Sequence, residues 1–136
     1  MRTYSTINAL IKYKDKYLVL QRANNRTNPG YWNCITGHIK DRECAEDAAL
    51  REVKEETNLE GNISKVALPY WVDAKDVRWV TMTYLVEVDD ITNLKIDENE
   101  SQDYKWIYLD DDIVKQSRGL QDVIRVLKIG KIKDSS

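Results

Sequence analysis

Gly37-His-Ile-Lys-Asp-Arg-Glu43, followed after seven residues by Arg51-Glu-Val-Lys-Glu-Glu-Thr-Asn-Leu59, is the stretch that decides how this chain is read. The segment between and across them is helical in composition. Ala45, Ala48, Ala49 and Leu50 are good helix formers, and Ala49, Leu50 and Val53 give an apolar stripe. On a helix turning ~100° per residue, Glu55 and Glu56 fall about 60° to one side and about 40° to the other of Glu52, so the three carboxylates share one face. Like charges set this close cost a bare helix roughly a few tenths of a kcal/mol per pair. An ordinary exposed face would mix lysines among the glutamates to gain i,i+4 pairs, whereas Lys54 points away. The face therefore asks for a positive partner. Hard divalent cations with oxygen ligands fit best, Mg²⁺ first with Mn²⁺ as the alternative, because such a site takes a few carboxylates and leaves its other positions to water and substrate.

Upstream, Thr3 to Ile11 and Lys16 to Arg22 are rich in β-formers around a polar turn and read as two strands. Asn24 to Gly30 reads as a loop that delivers Tyr31 and Trp32 to a short strand over Asn33 to Thr36. The Gly37 loop then enters the helix, with Glu43 and Asp47 as acids of its first half and Asn58 and Gly61 as stop signals. Downstream, Ile63 to Val72 and Arg78 to Val88 read as two further strands. An acidic loop, Asp97 to Asp103, leads to a strand over Tyr104 to Leu109. Asp110 to Gln116 and Leu120 to Ile129 have helical period, and the polar tail from Lys131 reads as frayed.

The bulk composition narrows the class. A chain of 136 residues reads as a single domain, with room for one real core. A net charge of −2 with 32% charged residues and no basic block argues against polymer nucleic acid as the main ligand. Cys34 and Cys44 have no Cys-x-x-Cys spacing, and His38 alone cannot complete a zinc set with them, so they read as free thiols of a reducing cytoplasm. No charged-then-apolar leader and no apolar run near ~20 residues is present, which indicates neither export nor membrane spanning.

Gly37, Glu43, Arg51, Glu52, Val53, Glu55, Glu56 and Leu59 together resemble the Nudix box position for position. One position departs: Asn58 stands where the family has glycine, and asparagine is the other residue that tolerates a left-handed helix C-cap. The resemblance implies an α/β protein with the Nudix fold, an α/β/α sandwich around a mixed central sheet. It also implies Mg²⁺-dependent hydrolysis of a nucleoside diphosphate linked to a further moiety. Gly37 through its carbonyl, Glu52, Glu55 and Glu56 resemble the family's metal ligands, Glu43 an outer ligand reached through water, and Arg51 the arginine that orients a helix carboxylate. Glu100, in a run to Trp106 that resembles the family's Glu-to-Trp spacing, is preferred over Glu98 as a metal ligand or general base. Glu55, Glu56, Arg51 and Glu100 are thus the catalytic candidates.

Substrate contacts are less constrained. Arg22 ends a strand at a position that in similar proteins faces phosphates, and a phosphate contact and a surface salt bridge remain equally open. Trp32, just before the metal loop, and His38, which replaces a second glycine of the family, are the other candidates. An aromatic on a strand is more often core than stacking platform, so one of these rings at most is expected to stack on a base. ADP-ribose-type members carry a proline near the position of Lys75, and Pro69 falls too early to match. The resemblance therefore leans toward a nucleoside triphosphate pyrophosphohydrolase releasing pyrophosphate and a monophosphate. A nucleotide-sugar or dinucleoside polyphosphate diphosphatase is the alternative. A regulatory domain that only binds nucleotide fits poorly, because it has no reason to bear the mutual repulsion of the complete acid set. Many similar proteins form homodimers.

Overall fold

The computed structural model describes residues 1–130, so the expected frayed tail from Lys131 lies outside the described residues. In chain order the elements are β1 (Arg2–Tyr13), β2 (Lys16–Arg22), β3 (Trp32–Asn33), β4 (Ile35–His38), α1 (Ala45–Thr57), β5 (Asn62–Val66), β6 (Tyr70–Ala74), β7 (Val77–Glu87), β8 (Ser101–Ile107), α2 (Asp112–Lys115) and α3 (Arg118–Leu127).

β1 is the spine of a mixed sheet. It runs parallel to β7 from Arg2↔Val77 to Lys12↔Glu87, and on its other side pairs antiparallel with β4 and then β2. β3 and β8 add to β2, and β5 and β6 add to β7, all antiparallel. A strand covered on both faces reads as a continuous apolar run. The Ile7-to-Ile11 segment obeys this except at Asn8.

Alternation along β1 sorts the two layers. Ile7, Ala9 and Ile11 join Ile35, Tyr84 and Val86 under α1, which contributes Ala48, Ala49 and Val53. Leu10 joins Val19, Cys34, Leu85 and Ile107 under α3, which contributes Leu120, Val123 and Leu127. Each of these α3 side chains is at most 1% exposed, and such burial is worth about 1.5–3 kcal/mol apiece. The α/β/α sandwich with its mixed central sheet is thus realised.

Local chemistry sets the boundaries. Asp111 caps α2 by accepting from Ile113 N–H at 2.9 Å, and Ser117 caps α3 by accepting from Leu120 N–H at 3.1 Å. Asn58 closes α1 in the left-handed conformation, φ 62°, with its N–H bonded to the Lys54 carbonyl.

Several expectations need correction. The strand expected over Ile63 to Val72 is two strands, because Ala67-Leu68-Pro69 interrupts it and Pro69 has no N–H for the ladder. The strand expected over Asn33 to Thr36 changes partner at Cys34, β3 lying on β2 and β4 on β1. Gly37 belongs to β4 rather than to a loop, paired with Ile7. Glu43 lies ahead of α1, whose N-cap is Cys44 and whose first-turn acids are Glu46 and Asp47. The ladder from β2 also draws the last strand back to Ser101, and the two C-terminal helices begin and end a residue or two from their expected limits.

Candidate active site

The strand β4 and the helix α1 meet at Gly37. A Cβ built on Gly37 would collide with the Glu52 carboxylate and with its Cγ at 2.6 Å, so only glycine lets the helix carboxylate lie against the strand backbone. Close approach, not a special φ, is the requirement here.

Arg51 gathers the acids around that contact. Its Nε donates to Glu43 Oε2 at 2.7 Å, Nη2 to Glu43 Oε1 and to the His38 carbonyl at 3.0 Å each, and Nη1 to Glu52 Oε2 and Glu55 Oε1 at 3.2 Å each. Glu43 also accepts from the Lys40 N–H at 2.9 Å. The Arg51 hydrogen bond first, and the Lys40 N–H second, hold the Glu43 carboxyl down to about 2, and the guanidinium in turn is held more firmly protonated than usual. Arg51 therefore borders the cleft with its guanidinium already committed to protein oxygens.

Glu56 is set differently. Its carboxyl is pushed well above the usual range, mostly by burial, then by a hydrogen bond to Glu52 and by the charges of Glu52, Glu100 and Asp97. Two carboxyls hydrogen-bond only when one keeps its proton. The same pair of hard oxygen donors, stripped of that proton, fits a hard divalent cation. Among the described residues no three acidic, histidine or cysteine side chains converge on one point, so the protein offers an open half-shell. That suits a cation which retains water and takes substrate oxygens.

These groups line a cleft of about 600 Å³, an ordinary size for a small-ligand site. Glu100 also lines the cleft, its carboxylate 3.1 Å from Arg26 Nη2. Glu98 is exposed and outside the lining, while Asp97 is within it. Arg22 lines the cleft, but its guanidinium donates to the Thr27 carbonyl at 2.7 Å and hydroxyl at 3.1 Å, so it braces the loop. The far end is a patch of sheet. Asn8 Nδ2 donates to Tyr70 Oη at 3.2 Å and Thr83 Oγ1 at 3.4 Å, and Thr6 and Thr81 share a hydrogen bond of 3.2 Å. Trp79 stands there with its ring centroid 5.2 Å from that of Tyr4 and 6.1 Å from that of His38.

A family model described as the NUDIX domain matches residues 1–123. The chain belongs to the Nudix family. Nudix hydrolases act on pyrophosphate bonds and generally use divalent metal ions. Among relatives, it is 30% identical over 119 residues to the nucleoside triphosphatase NudI of Escherichia fergusonii, covering 79% of this chain and 83% of that protein. It is 33% identical over 82 residues to the human NAD-capped RNA hydrolase NUDT12, covering 60% of this chain but only 17% of that much longer protein. Among solved structures, a Nudix hydrolase from Nitrosomonas europaea superposes with a TM-score of 0.74 at 22% identity, covering 99% of this chain and 100% of that one.

Within this Nudix domain, Gly37, Glu43, Arg51, Glu52, Glu55, Glu56, Glu100, Arg22 and His38 come together around one cleft. Glu43 does so through Arg51 and not as a lining residue. Trp32 does not join them. It packs against the α3-side core with Lys105 Nζ 5.4 Å over its ring, because the partner change at Cys34 leaves it on β2's side of the sheet. Trp79 is the indole in the cleft. Reading the sequence missed Arg26, Asp97 and Asn8. For the first two no spacing signal exists, since both sit in loops. Asn8 did carry one, a lone amide inside the apolar run Ile7 to Ile11.

Proposed function

We propose that this Nudix hydrolase is a Mg²⁺-dependent nucleoside triphosphate pyrophosphohydrolase, with Mn²⁺ able to replace Mg²⁺. One observation carries the reading: the Glu52 carboxylate lies against Gly37, and Glu52 and Glu56 line a cleft that also holds the basic side chains Arg22, Arg26 and Lys40. Acids that hold a cation beside bases that meet phosphate are what a phosphoanhydride demands. Divalent cations held at Glu52 and Glu56 and, separately, at Glu100 would supply charge neutralisation on the phosphates and orientation of the attacking water.

The chain's own residues divide the remaining work. Arg51 orients Glu52 and Glu55 through a hydrogen bond to each. Glu56 and Glu100 both line the cleft, and they are our candidates to take the proton of water. Water adds to phosphorus, the phosphoanhydride P–O bond breaks, and pyrophosphate and a nucleoside monophosphate leave. Trp79, with Tyr4 and His38 beside it and the amide of Asn8 behind, is the surface on which the nucleoside would rest.

The NudI relative supports the triphosphate, since the match spans most of both chains. The match to NUDT12 favours a second reading, a dinucleotide diphosphatase, although it covers a small part of that protein. We read the chain as one Nudix domain acting in the cytoplasm, and no helix among the described residues is long and apolar enough to cross a membrane.

The deciding experiment is a screen of nucleoside triphosphates, nucleotide sugars and dinucleoside polyphosphates with Mg²⁺, identifying the phosphate species released. Pyrophosphate with a monophosphate supports the first reading, and two monophosphates from a dinucleotide support the second. Release from none of them overturns both.

A further inference from the structure

The loop between β2 and β3 presents a second arginine to the cleft. Its root is fixed by backbone bonds, Ala23 N–H to the Glu100 carbonyl and Gly30 N–H to the Arg22 carbonyl, each 3.0 Å. Gln102 Nε2 adds a bond to the Arg22 carbonyl at 2.7 Å. Inside the loop Arg22 is committed to Thr27. Arg26 is therefore the guanidinium that the loop offers outward, and its contact is with a single carboxylate, Glu100 Oε2 at 3.1 Å.

The charges of the cleft make that contact temporary. Its lining holds five carboxylates, Glu52, Glu55, Glu56, Asp97 and Glu100, against four basic side chains, Arg22, Arg26, Lys40 and Arg51. Arg51 is tied to three acids at once and is 20% exposed, whereas the Arg26 and Glu100 side chains are 42% and 31% exposed. An ion pair that exposed is weak and exchanges readily. A divalent cation and a guanidinium both seek the same carboxylate oxygen and repel each other. When the cation takes Glu100, Arg26 is left beside an anionic substrate whose phosphate oxygens match its planar fork.

We propose that Arg26 is a phosphate-binding residue of this enzyme, held on Glu100 in the metal-free protein and transferred to the substrate's phosphate chain when a divalent cation occupies the Glu100 side of the cleft. The proposal rests on the reading above that Glu100 is a metal ligand and the substrate a phosphoanhydride. It makes metal and substrate binding mutually reinforcing, because each removes a competitor of the other.

Removing Arg26 then has effects of opposite sign. In Arg26→Gln, Mn²⁺ binding to nucleotide-free protein, followed by electron paramagnetic resonance, tightens about two- to fivefold, since the competitor for Glu100 is gone. Binding of imidodiphosphate, a non-hydrolysable pyrophosphate mimic, in saturating Mg²⁺ weakens about tenfold by calorimetry. Arg26→Lys falls between wild type and Arg26→Gln in both measurements. Unchanged or weaker Mn²⁺ binding in Arg26→Gln overturns the proposal, as does unchanged imidodiphosphate binding. A loop-bracing role would instead weaken both and lower the melting temperature. Neither measurement uses turnover, so a wild type that releases pyrophosphate while Arg26→Gln shows no opposite shifts leaves the reaction standing and removes this role alone.

Discussion

The Glu52 carboxylate rests on Gly37 with no room for a methyl group between them. Gly37→Ala must push the Glu52 side chain off the strand, and a displacement of ~1 Å beside reacting groups costs on the order of 100-fold in rate. We expect kcat/KM to fall by about that factor while the melting temperature drops by only about 2–6 °C. A variant with wild-type kinetics would show that the contact does not set the site.

Glu56→Gln separates chemistry from stability. In wild type without metal, the folded protein keeps on Glu56 a proton that the unfolded chain gives up above about 4.5. The folded state then binds more protons than the unfolded one, so this group lowers stability as pH rises from there through neutrality. The glutamine variant lacks that loss. In chelator, its melting temperature relative to wild type should increase between pH 5 and 8, while turnover falls by at least about 100-fold. Parallel melting curves for the two proteins would refute the burial of a protonated Glu56.

Loading the metal should expel that proton. Calorimetric titration of Mg²⁺ or Mn²⁺ at pH 7, in two buffers of different ionisation enthalpy, is expected to show release of close to one proton per site, and none in Glu56→Gln. Equal apparent enthalpies in both buffers would exclude Glu56 from the ligand set.

Glu43 predicts the opposite slope. Its folded value of about 2, set by Arg51 and the Lys40 N–H, lies below its unfolded value of 4.5. The stabilisation is therefore complete above 4.5 and disappears as pH falls toward 2. Glu43→Gln should be less stable than wild type at pH 6, and the difference should shrink on acidification, as followed by urea unfolding at pH 6, 4 and 3.

At Asn58 two effects compete. Glycine would relieve the left-handed φ of 62° but lose the Asn58 Nδ2 bond to the Asn93 carbonyl at 3.0 Å. Asn58→Gly should lie within about 1 kcal/mol of wild type, and Asn58→Ala should lose about 1–2 kcal/mol, since alanine bears the strain without the bond. Denaturant midpoints at constant slope test this.

What could be read before the structure follows the range of the interactions. The box acids, Arg51 and the Asn58 cap are fixed within one helix and its flanks, where spacing maps directly onto geometry. Trp32 was misplaced because a strand's facing depends on its partner, and the exchange of β2 for β1 at Cys34 leaves no mark in the residues themselves. Trp79 and Asn8 line the same cleft through the parallel register of β1 and β7, which local alternation does not reveal. Arg26 faces Glu100 only because Ala23 and Glu100 are bonded across two loops.

The parallel union of β1 with β7 also has a consequence in time. Thr6 finds Thr81 across a sequence separation of 75, so the spine of the sheet cannot close until most of the chain has been made. Until then Ile7, Ala9 and Ile11 lack the face that covers them, and β4 with α1 has only one edge of β1 to hold. Closing so long a loop costs entropy before any contact rewards it, which places this fold among the slower ones for its size and makes the arrival of β7 the natural rate-limiting event. The catalytic carboxylates would then be drawn together last, after the sheet that sets them has formed.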